Sequence, residues 1–306
     1  MGRFTTGTAD NVVECGLMKV PLVDITRFIK DDLTQQVIQL KKKKINPRMA
    51  VFLVGATTQQ LENIKVKQKV AKELGVELDI TKLDTAPPFL QFANLLKAKS
   101  QLPNVHGVII EQPLPVALQS DTIYNFIPLS KELNGHRKKT TFLPPIGLTV
   151  LTILKYIFQN TQVTAKLYPD PVKDPSFFKQ SLKQKKVVLI GRGQITGQPI
   201  AQAMSQFRIN FINVNSQTYE PEQYYQDADI IVTSVGKKVL KSTDIKPGAA
   251  LINASAQDGH DGVTGDYDES EIKSVAGFYT PTARGTGMID TLYLFKNLIE
   301  AIKLQV

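Results

Sequence analysis

The sequence predicts an α/β protein built from two units with mostly parallel sheets, and two observations support this prediction. Short apolar runs, each ended by glycine, proline or polar residues, are typical of buried strands. Amphipathic stretches with helical spacing separate these runs, and this alternation favours parallel strands joined by helices. The chain has 306 residues, which is long enough for two ordinary domains.

The first half of the chain alternates between predicted helices and predicted strands. Lys30 to Lys43 is amphipathic and predicts a helix, and the run from Met49 to Gly55 predicts a buried strand. TQQLENIKVKQKVAKELG follows as a helix that ends at Gly75. The remaining predicted elements are a strand at VELDITKL, a helix at FLQFANLLKAK, a strand at HGVIIEQPLP and a helix at IGLTVLTILKYIFQ.

A polar segment with several prolines, NTQVTAKLYPDPVKDPSFFKQSLKQ, separates the two halves. Its composition predicts an exposed excursion, with a hinge between the two units near residue 165. The second half then predicts strands at VVLI, INFINVN, ADIIVTSVG and GAALINAS, with a helix from about Thr196 to Phe207. A last helix, from Met288 to Lys303, closes the chain.

Composition excludes several classes of function. The net charge is +9, but apart from Lys41 to Lys44 the basic residues are dispersed, which argues against nucleic-acid binding. Cys15 is the one cysteine, so neither a disulfide framework nor a thiolate metal site is expected, and a reducing cytoplasm fits. No histidine pair has metal-site spacing, and no apolar run is long enough to span a membrane. Residues 1–17 are expected to be an extension outside the fold.

Three glycines follow the predicted strand VVLI with the spacing G-x-G-x-x-x-G, at positions 191, 193 and 197. A strand before the glycines and a helix after them are the setting of a Rossmann-type dinucleotide-binding loop. Gly191 and Gly193 permit a tight turn and the close approach of a pyrophosphate, and Arg192 can reach phosphate. The alternative is a glycine turn with a purely structural role.

The next strand ends in VNSQT, where a ribose-binding acid normally lies. An acidic residue at this point would favour NAD. The chain instead has Asn215, Ser216 and Gln217, which suit a 2′-phosphate better. The sequence therefore predicts NADP as the cofactor, with NAD as the alternative.

The first unit contains a second group of candidate residues. Asn63 and Lys67 are four residues apart and share one face of a predicted helix. Glu111 and Gln112 lie at the carboxyl end of a predicted parallel strand, which is where ligands bind in open α/β sheets. The alternatives are a solvated helix face for Lys67 and an exposed loop acid for Glu111.

With these motifs in place, the sequence resembles the methylenetetrahydrofolate dehydrogenase/cyclohydrolase family over nearly its whole length after Met18. The most specific motifs are VHGVII-x-x-PLP and GR-x-x-I-x-G-x-P-x-A. The matching pieces follow the family's order and are VGATTQQLENIKVKQKVAKELGV, VHGVIIEQPLP, IPLSKELNGH, LPPIGLTVLTIL, VVLIGRGQITGQPIAQAM, VNSQT, DADIIVTSVGK, IKPGAALINAS and GFYTPTARGTGMIDTLYLFKNLI.

The resemblance implies a fold and two activities. It implies a three-layer α/β catalytic domain at residues 18–158 plus 286–306, and a Rossmann-type NAD(P)-binding domain at 159–285, with the last helix returning to the first domain. A homodimer is also implied. The reactions implied are hydride transfer from 5,10-methylenetetrahydrofolate to NADP⁺ and hydrolysis of the methenyl product.

The resemblance also implies roles for individual residues. Lys67 would be the central catalytic residue, with Asn63 and Glu111 as its partners. The residues implied for the folate are Asn134, which would face the pterin, Gln112, Pro113 and Gly285. The residues implied for the cofactor are Gly191, Arg192, Gly193, Gln194, Ile195, Ser216 and Gly236.

Several positions depart from the family's pattern. Asn63 stands in the place of the tyrosine of Y-x-x-x-K, Glu111 in the place of the glutamine of V-Q-L-P-L-P, and Asn134 in the place of the second aspartate of K-D-V-D-G. The run ARGTGMID, from Ala283 to Asp290, replaces P-G-G-V-G-P-M-T and keeps two of its glycines.

These departures rank the two activities. Hydride transfer depends mostly on positioning, whereas hydrolysis needs a group that can move a proton. Glu111 beside Lys67 would favour the charged ammonium, which is a poor base. The sequence therefore predicts an NADP-linked dehydrogenase with weak or lost cyclohydrolase activity. The alternatives are a non-catalytic relative that binds folate or nucleotide, and an oxidoreductase with a different substrate.

Overall fold

The computed structural model describes residues 18–137, 139–159, 162–255, 257–259, 262–282 and 285–306. The predicted extension at 1–17 lies outside these residues. Within the described residues, no helix is both long and apolar enough to cross a membrane.

Seven of the described strands match the predicted runs, with shorter bounds at several of them, and the short strands at 18–19, 257–259, 262–264 and 278–279 were not predicted. The described strands are β1 (Met18–Lys19), β2 (Arg48–Val54), β3 (Glu77–Leu83), β4 (Gly107–Ile110), β5 (Val187–Ile190), β6 (Ile212–Val214), β7 (Ile230–Thr233), β8 (Ala250–Asn253), β9 (Gln257–Gly259), β10 (Gly262–Thr264) and β11 (Phe278–Tyr279).

Six of the described helices match predicted ones, although the first begins at Leu22 rather than at Lys30, and the helices at 174–181, 222–227 and 269–272 were not predicted. The described helices are α1 (Leu22–Lys42), α2 (Thr58–Leu74), α3 (Phe89–Ser100), α4 (Pro145–Phe158), α5 (Asp174–Ser181), α6 (Gly197–Gln206), α7 (Glu222–Asp227), α8 (Glu269–Ile272) and α9 (Gly287–Lys303).

The first sheet has the strand order β3-β2-β4, and its pairings are parallel. Successive side chains of a strand point to opposite faces. Accordingly Val51 and Leu53 of β2 join one apolar core with α1, α2, α4 and α9, while Phe52 and Val54 join a second core with α3. Helices therefore cover both faces of this sheet, and the predicted three-layer α/β arrangement is confirmed.

The second sheet has the order β1-β11-β8-β7-β5-β6, again with parallel pairings. Val188 and Ile190 of β5 face the core that contains α7 and α8, while Val187 and Leu189 face the core that contains α6. The strand β1, which the domain prediction places in the first unit, pairs with β11 of this sheet. The first residues after position 17 thus tie the two units together.

The segment between the two halves is largely exposed, as its composition predicts, but part of it packs into the core. It contains a short 3-10 turn at Ala165–Leu167 and the helix α5, and Phe178 of α5 is fully buried. Phe178 packs edge to face against Phe207, with ring centroids 5.9 Å apart. The prediction of an exposed excursion is wrong at Leu167, Asp174 and Phe178, which are buried. Tyr168 of the same segment also packs, against Phe28 of α1 and Tyr293 of α9.

The helix α9 returns to the first unit, as predicted, and packs against α1 and α4. Its Tyr293 is fully buried, and the hydroxyl groups of Tyr293 and Thr152 are hydrogen-bonded. The Asn297 amide donates to the backbone carbonyls of Leu133 and Leu143, at 2.9 and 3.0 Å. These contacts fix the middle of α9 against α4 and against the loop that follows β4.

Candidate active site

The helix α2 is fixed against the loop that follows β4. Thr57 and Gln60 form a capping box, in which the backbone nitrogen of Gln60 donates to the Thr57 hydroxyl at 3.2 Å. The Gln60 side chain is buried and donates to the carbonyl of Pro113 at 3.1 Å. The N-cap of α2 therefore holds the Glu111–Pro115 loop and sets the distance between α2 and the end of β4.

An ion pair joins α2 to this loop. The Lys67 ammonium lies 2.9 Å from the Glu111 carboxylate, with side-chain exposures of 16% and 7%. The backbone nitrogen of Glu111 continues the β4 ladder by donating to Phe52 at 2.9 Å. The structure thus brings together two of the three predicted catalytic residues in a largely buried pair rather than on a solvated helix face.

Asn63 lies apart from this pair. It is one turn before Lys67 on α2, but its side chain is exposed, and its carbonyl oxygen accepts a hydrogen bond from Gln59 at 3.2 Å. Among the contacts of the described residues, none joins Asn63 to Lys67 or Glu111. Its role as a catalytic partner remains a prediction.

Asp290 is a charged residue of the site to which the sequence assigned no role. It lies in the first turn of α9, and this helix packs against both α2 and β4. Burial raises the pKa of Asp290 to about 6; Lys67 lowers this pKa and Glu111 raises it. The signal in the sequence was the departure of ARGTGMID from the family's run, which ends in threonine.

Gln112 is held within its own loop. Its amide donates to the Tyr124 hydroxyl at 2.5 Å, and its carbonyl oxygen accepts from the Leu114 nitrogen at 3.1 Å. The Tyr124 ring stacks on His136, with 4.6 Å between ring centroids. The peptide bond between Gln112 and Pro113 is cis. Gln112 therefore shapes the wall of the site together with an aromatic pair.

Asn134 lies on a loop that a buried carboxyl organises. Glu132 accepts hydrogen bonds from the backbone nitrogens of Asn134 and His136, at 3.0 and 3.1 Å. Burial raises the pKa of Glu132 to about 7, against the opposing effect of these backbone donors. Glu132 occupies the first acidic position of the family's K-D-V-D-G and gives the loop its shape.

Glu132 predicts a pH dependence of stability. Its pKa in the folded chain, about 7, exceeds its ordinary value of 4.5. The contribution of Glu132 to the free energy of unfolding is therefore fully present below about pH 4.5 and is lost as the pH rises through about 7. The loss amounts to about 3 kcal/mol in total. Glu132→Gln is expected to remove this part of the pH dependence of the urea midpoint, whereas the exposed-acid control Glu62→Gln keeps it. Parallel pH profiles for wild type and Glu132→Gln would contradict the assignment.

The glycine loop after β5 has the geometry of a dinucleotide-binding turn. Gly191 has a φ of +112°, and a Cβ atom there would lie 2.5 Å from the Ser234 hydroxyl. A Cβ atom at Gly197, the first residue of α6, would lie 2.7 Å from the Gly191 carbonyl. Gly193 has open space around its Cβ position. The loop thus folds tightly on itself and leaves room at the point where a pyrophosphate would approach the helix.

A cavity of about 270 Å³ is lined by residues of both units. Predicted folate residues line one side of it and predicted cofactor residues the other. Its lining residues are Gln112, Pro113, Gln119, Gly193, Gln194, Ile195, Thr196 and Ser234. The nucleotide loop and the loop after β4 therefore face each other, as a reaction between two bound molecules requires.

The other predicted site residues do not line this cavity, and Gly236 lines a separate one. Arg192 and Ser216 are exposed, Ser216 at the turn after β6. The Gly236 nitrogen donates to the carboxylate of the buried Asp266 at 2.7 Å. Gly285 is buried, and a Cβ atom there would lie 2.9 Å from the Pro281 carbonyl. Asp266 holds the loop after β7 and was not predicted from the sequence.

Two glycine variants are expected to separate folding from cofactor binding. Gly191→Ala places a methyl group against Ser234 at an unfavourable φ, so a stability loss of about 1–3 kcal/mol is expected together with weaker NADP⁺ binding. Gly193→Ala meets open space and should leave the melting temperature unchanged, but should still weaken NADP⁺ binding. Thermal melts and calorimetry measure both effects. Unchanged NADP⁺ affinity in Gly193→Ala would argue against a pyrophosphate at this loop.

Family models support the same reading of both units. The model of the tetrahydrofolate dehydrogenase/cyclohydrolase catalytic domain matches residues 23–134, and the model of that family's NAD(P)-binding domain matches residues 176–306. The chain belongs to the tetrahydrofolate dehydrogenase/cyclohydrolase family. The predicted family and the predicted NAD(P)-binding domain are confirmed.

Individual family members align over most of the chain. The bifunctional protein FolD 2 of Desulfitobacterium hafniense is 28% identical over 284 residues, which cover 92% of this chain and 95% of that protein. The crystal structure of FolD from Campylobacter jejuni shares the fold, with a TM-score of 0.79 and 24% identity over 92% of this chain and 97% of that chain. The Trypanosoma brucei FolD structure is a complex with NADP cofactor and inhibitor. It has a TM-score of 0.71 at 19% identity, and the match covers 94% of this chain and 97% of that chain.

Proposed function

We propose that this family member oxidises 5,10-methylenetetrahydrofolate to the methenyl compound with NADP⁺ as the hydride acceptor, and that its cyclohydrolase activity is weak or lost. The observation that carries this proposal is the 2.9 Å ion pair between Lys67 and Glu111. Glu111 of this pair is followed directly by Gln112 and Pro113, which line one cavity together with residues of the nucleotide loop. Both partners of a hydride transfer would meet there.

The residues of the second unit fit a nicotinamide dinucleotide. The tight turn at Gly191 and the open position at Gly193 suit a pyrophosphate, and the exposed Arg192 is a cation within the same loop. Gln194 and Ile195 line the cavity towards the first unit. When bound, the cofactor supplies the acceptor for the hydride.

The turn after β6 supports NADP over NAD. β6 pairs with β5, so its carboxyl end lies beside the glycine loop. The Asn215 side chain accepts from the Gln217 nitrogen at 2.9 Å, which shapes the turn and leaves Ser216 exposed. Because none of these side chains is acidic, none would repel a 2′-phosphate.

The chemistry of the two reactions supports their ranking. Loss of a hydride from the methylene carbon leaves a positive charge that the two adjacent nitrogens share, so the step needs positioning more than proton transfer. Hydrolysis of the methenyl compound needs a proton acceptor for the attacking water. An ammonium group that is paired with a carboxylate has no free electron pair for that task. Asn63 is exposed and bonded to Gln59, and its side chain has no phenol to assist.

The folate itself is assigned to the first unit. Asn134, on the loop that Glu132 holds, is proposed to face the pterin, and Gly285, just before α9, is proposed to contact the folate. The family's homodimer is proposed for this chain as well.

The exposed position of Asn63 also favours a second candidate function. A relative that binds folate and nucleotide without turnover would tolerate the loss of the tyrosine at this position, whereas a cyclohydrolase would not. An oxidoreductase that acts on another substrate is the remaining alternative.

Two assays on the full chain test the proposal. Formation of reduced nicotinamide from 5,10-methylenetetrahydrofolate is measured with NADP⁺ and with NAD⁺, and hydrolysis of the methenyl compound is measured separately. We expect dehydrogenase turnover that is faster with NADP⁺ than with NAD⁺ and that exceeds cyclohydrolase turnover. Equal or faster cyclohydrolase turnover would overturn the ranking. Cofactor binding without any turnover would favour the non-catalytic relative, and turnover on a non-folate compound would favour the third candidate.

A further inference from the structure

Asp290 lies in the first turn of α9, where the charges of both Lys67 and Glu111 act on it. The first turn of α9 is fixed by Ile289, which is fully buried, and by Thr286, whose hydroxyl donates to the Asn253 carbonyl at 3.2 Å. The same helix packs against α2, which carries Lys67, and against β4, which leads into Glu111. The backbone around Asp290 is therefore fixed relative to both charged groups.

The formal charges of the three residues Lys67, Glu111 and Asp290, here called the charged cluster, do not balance. Lys67 is one cation and Glu111 and Asp290 are two carboxylates, and the ion pair uses Glu111. Within the described part of the chain, no hydrogen bond or ion pair reaches the Asp290 side chain, and the charged groups that act on it are Lys67 from α2 and Glu111 after β4. Burial raises the pKa of Asp290 only to about 6, so the charged cluster carries one excess negative charge at neutral pH.

A fixed negative charge at a reaction centre stabilises positive charge that develops there. In the proposed dehydrogenation the methylene C–H bond breaks and its electron pair leaves with the hydrogen to the nicotinamide acceptor. No proton is exchanged. The neutral folate centre thus becomes a cation, whereas the hydrolysed formyl compound carries no charge at this centre.

We propose that Asp290, together with Glu111, is a specificity-determining residue that stabilises the cationic methenyl centre and makes the site prefer this cation over the neutral formyl compound. This inference rests on the proposed function. It also gives a physical reason for the ranking of the two activities, because a site that stabilises the cation disfavours its conversion into a neutral product.

The test measures affinity rather than turnover. Calorimetry on the full chain at about pH 8, where Asp290 is ionised, gives the dissociation constants of 5,10-methenyltetrahydrofolate and 10-formyltetrahydrofolate. The wild type is expected to prefer the cation, and Asp290→Asn, which keeps the size of the side chain, should reduce that preference by about tenfold. Glu300→Gln is the matched control, because it removes an acid from the far end of the same helix.

A pH series adds a measurement that a purely structural role of Asp290 would not affect. The wild-type preference for the cation should fall as the pH drops below about 6, where Asp290 gains a proton. The preference of Asp290→Asn should lack this step. Folding of each variant is checked by its thermal melt.

The outcomes separate this inference from the proposed function. An unchanged preference in Asp290→Asn, with an active wild type, would overturn the inference and leave the dehydrogenase intact. A preference for the cation that depends on Asp290, in a wild type without dehydrogenase turnover, would overturn the proposed function and leave the inference standing.

Discussion

Replacing Lys155 with alanine is expected to lower the free energy of unfolding by about 3–5 kcal/mol, because it leaves a carboxylate buried without its cation. Lys155 of α4 lies 2.6 Å from the Asp174 carboxylate, with side-chain exposures of 4% and 10%. Its ammonium also donates to the Tyr168 carbonyl at 2.9 Å, and the same Asp174 oxygen accepts from the Asp170 nitrogen at 2.7 Å. One cation thus holds the segment between the two units against α4.

The measurement is urea unfolding followed by circular dichroism, since the chain has no tryptophan. Lys173→Ala is the matched control: Lys173 belongs to the same segment but is exposed, and its contact to Asp170 is 3.9 Å. The control is expected to change stability by less than about 0.5 kcal/mol. The double variant Lys155→Met with Asp174→Leu should recover much of the loss, because it removes both charges. Equal midpoints for Lys155→Ala and Lys173→Ala would contradict the prediction.

The core strands were predictable because their residues carry the signal locally. Five strands are short apolar runs ended by polar residues or glycine, namely β2, β4, β5, β7 and β8. A strand that is buried on both faces needs apolar residues at nearly every position. The helix α2 was predictable because Gly75 ends it in a left-handed conformation, with φ of +77°. These features need no knowledge of distant partners.

The segment before β5 could not be predicted in the same way. Its prolines and lysines indicate an exposed loop, and its buried residues are too widely spaced to show a period. Phe178 is buried because Phe207 of α6 packs against it, and Lys155 is buried because Asp174 pairs with it. Both partners are distant in sequence, so tertiary contacts override the local composition.

The candidate site shows the same division. The family resemblance implied that Lys67 and Glu111 are partners, and the structure pairs them at 2.9 Å, whereas the helix spacing and the strand end alone left a solvated lysine and an exposed loop acid as alternatives. Asp290 could not be placed with them, because its position depends on how α9 returns across the first sheet. Asn63 shares the helix face of Lys67 by spacing, yet its exposed side chain accepts a hydrogen bond from Gln59. A shared helix face therefore predicts proximity to the site but not a contact within it.

Lys67→Ala is expected to lower dehydrogenase turnover at least about 100-fold while NADP⁺ binding is kept, because the ion pair that positions Glu111 beside the substrate is lost. The cofactor is proposed to contact the glycine loop of the second unit, which this substitution does not touch. Lys65→Ala is the matched control, because Lys65 lies on the same helix but is exposed and pairs with Glu62 at 2.7 Å. Turnover is measured by formation of reduced nicotinamide, and NADP⁺ affinity by calorimetry. Loss of activity in both variants would indicate damage to α2 rather than loss of a functional ammonium.

The physical reason for the large effect lies in the charges that Lys67 leaves behind. Without its ammonium, Glu111 and Asp290 are two like charges in a largely buried cleft, and such a pair resists ionising together. Lys67 lowers the pKa of Asp290, so this pKa would rise in the variant, and Glu111 would lose the partner that fixes its position. The residual turnover of Lys67→Ala should therefore rise with pH more steeply than that of the wild type. A flat residual profile would show that Lys67 acts through its own contact with the substrate and not through the two carboxylates.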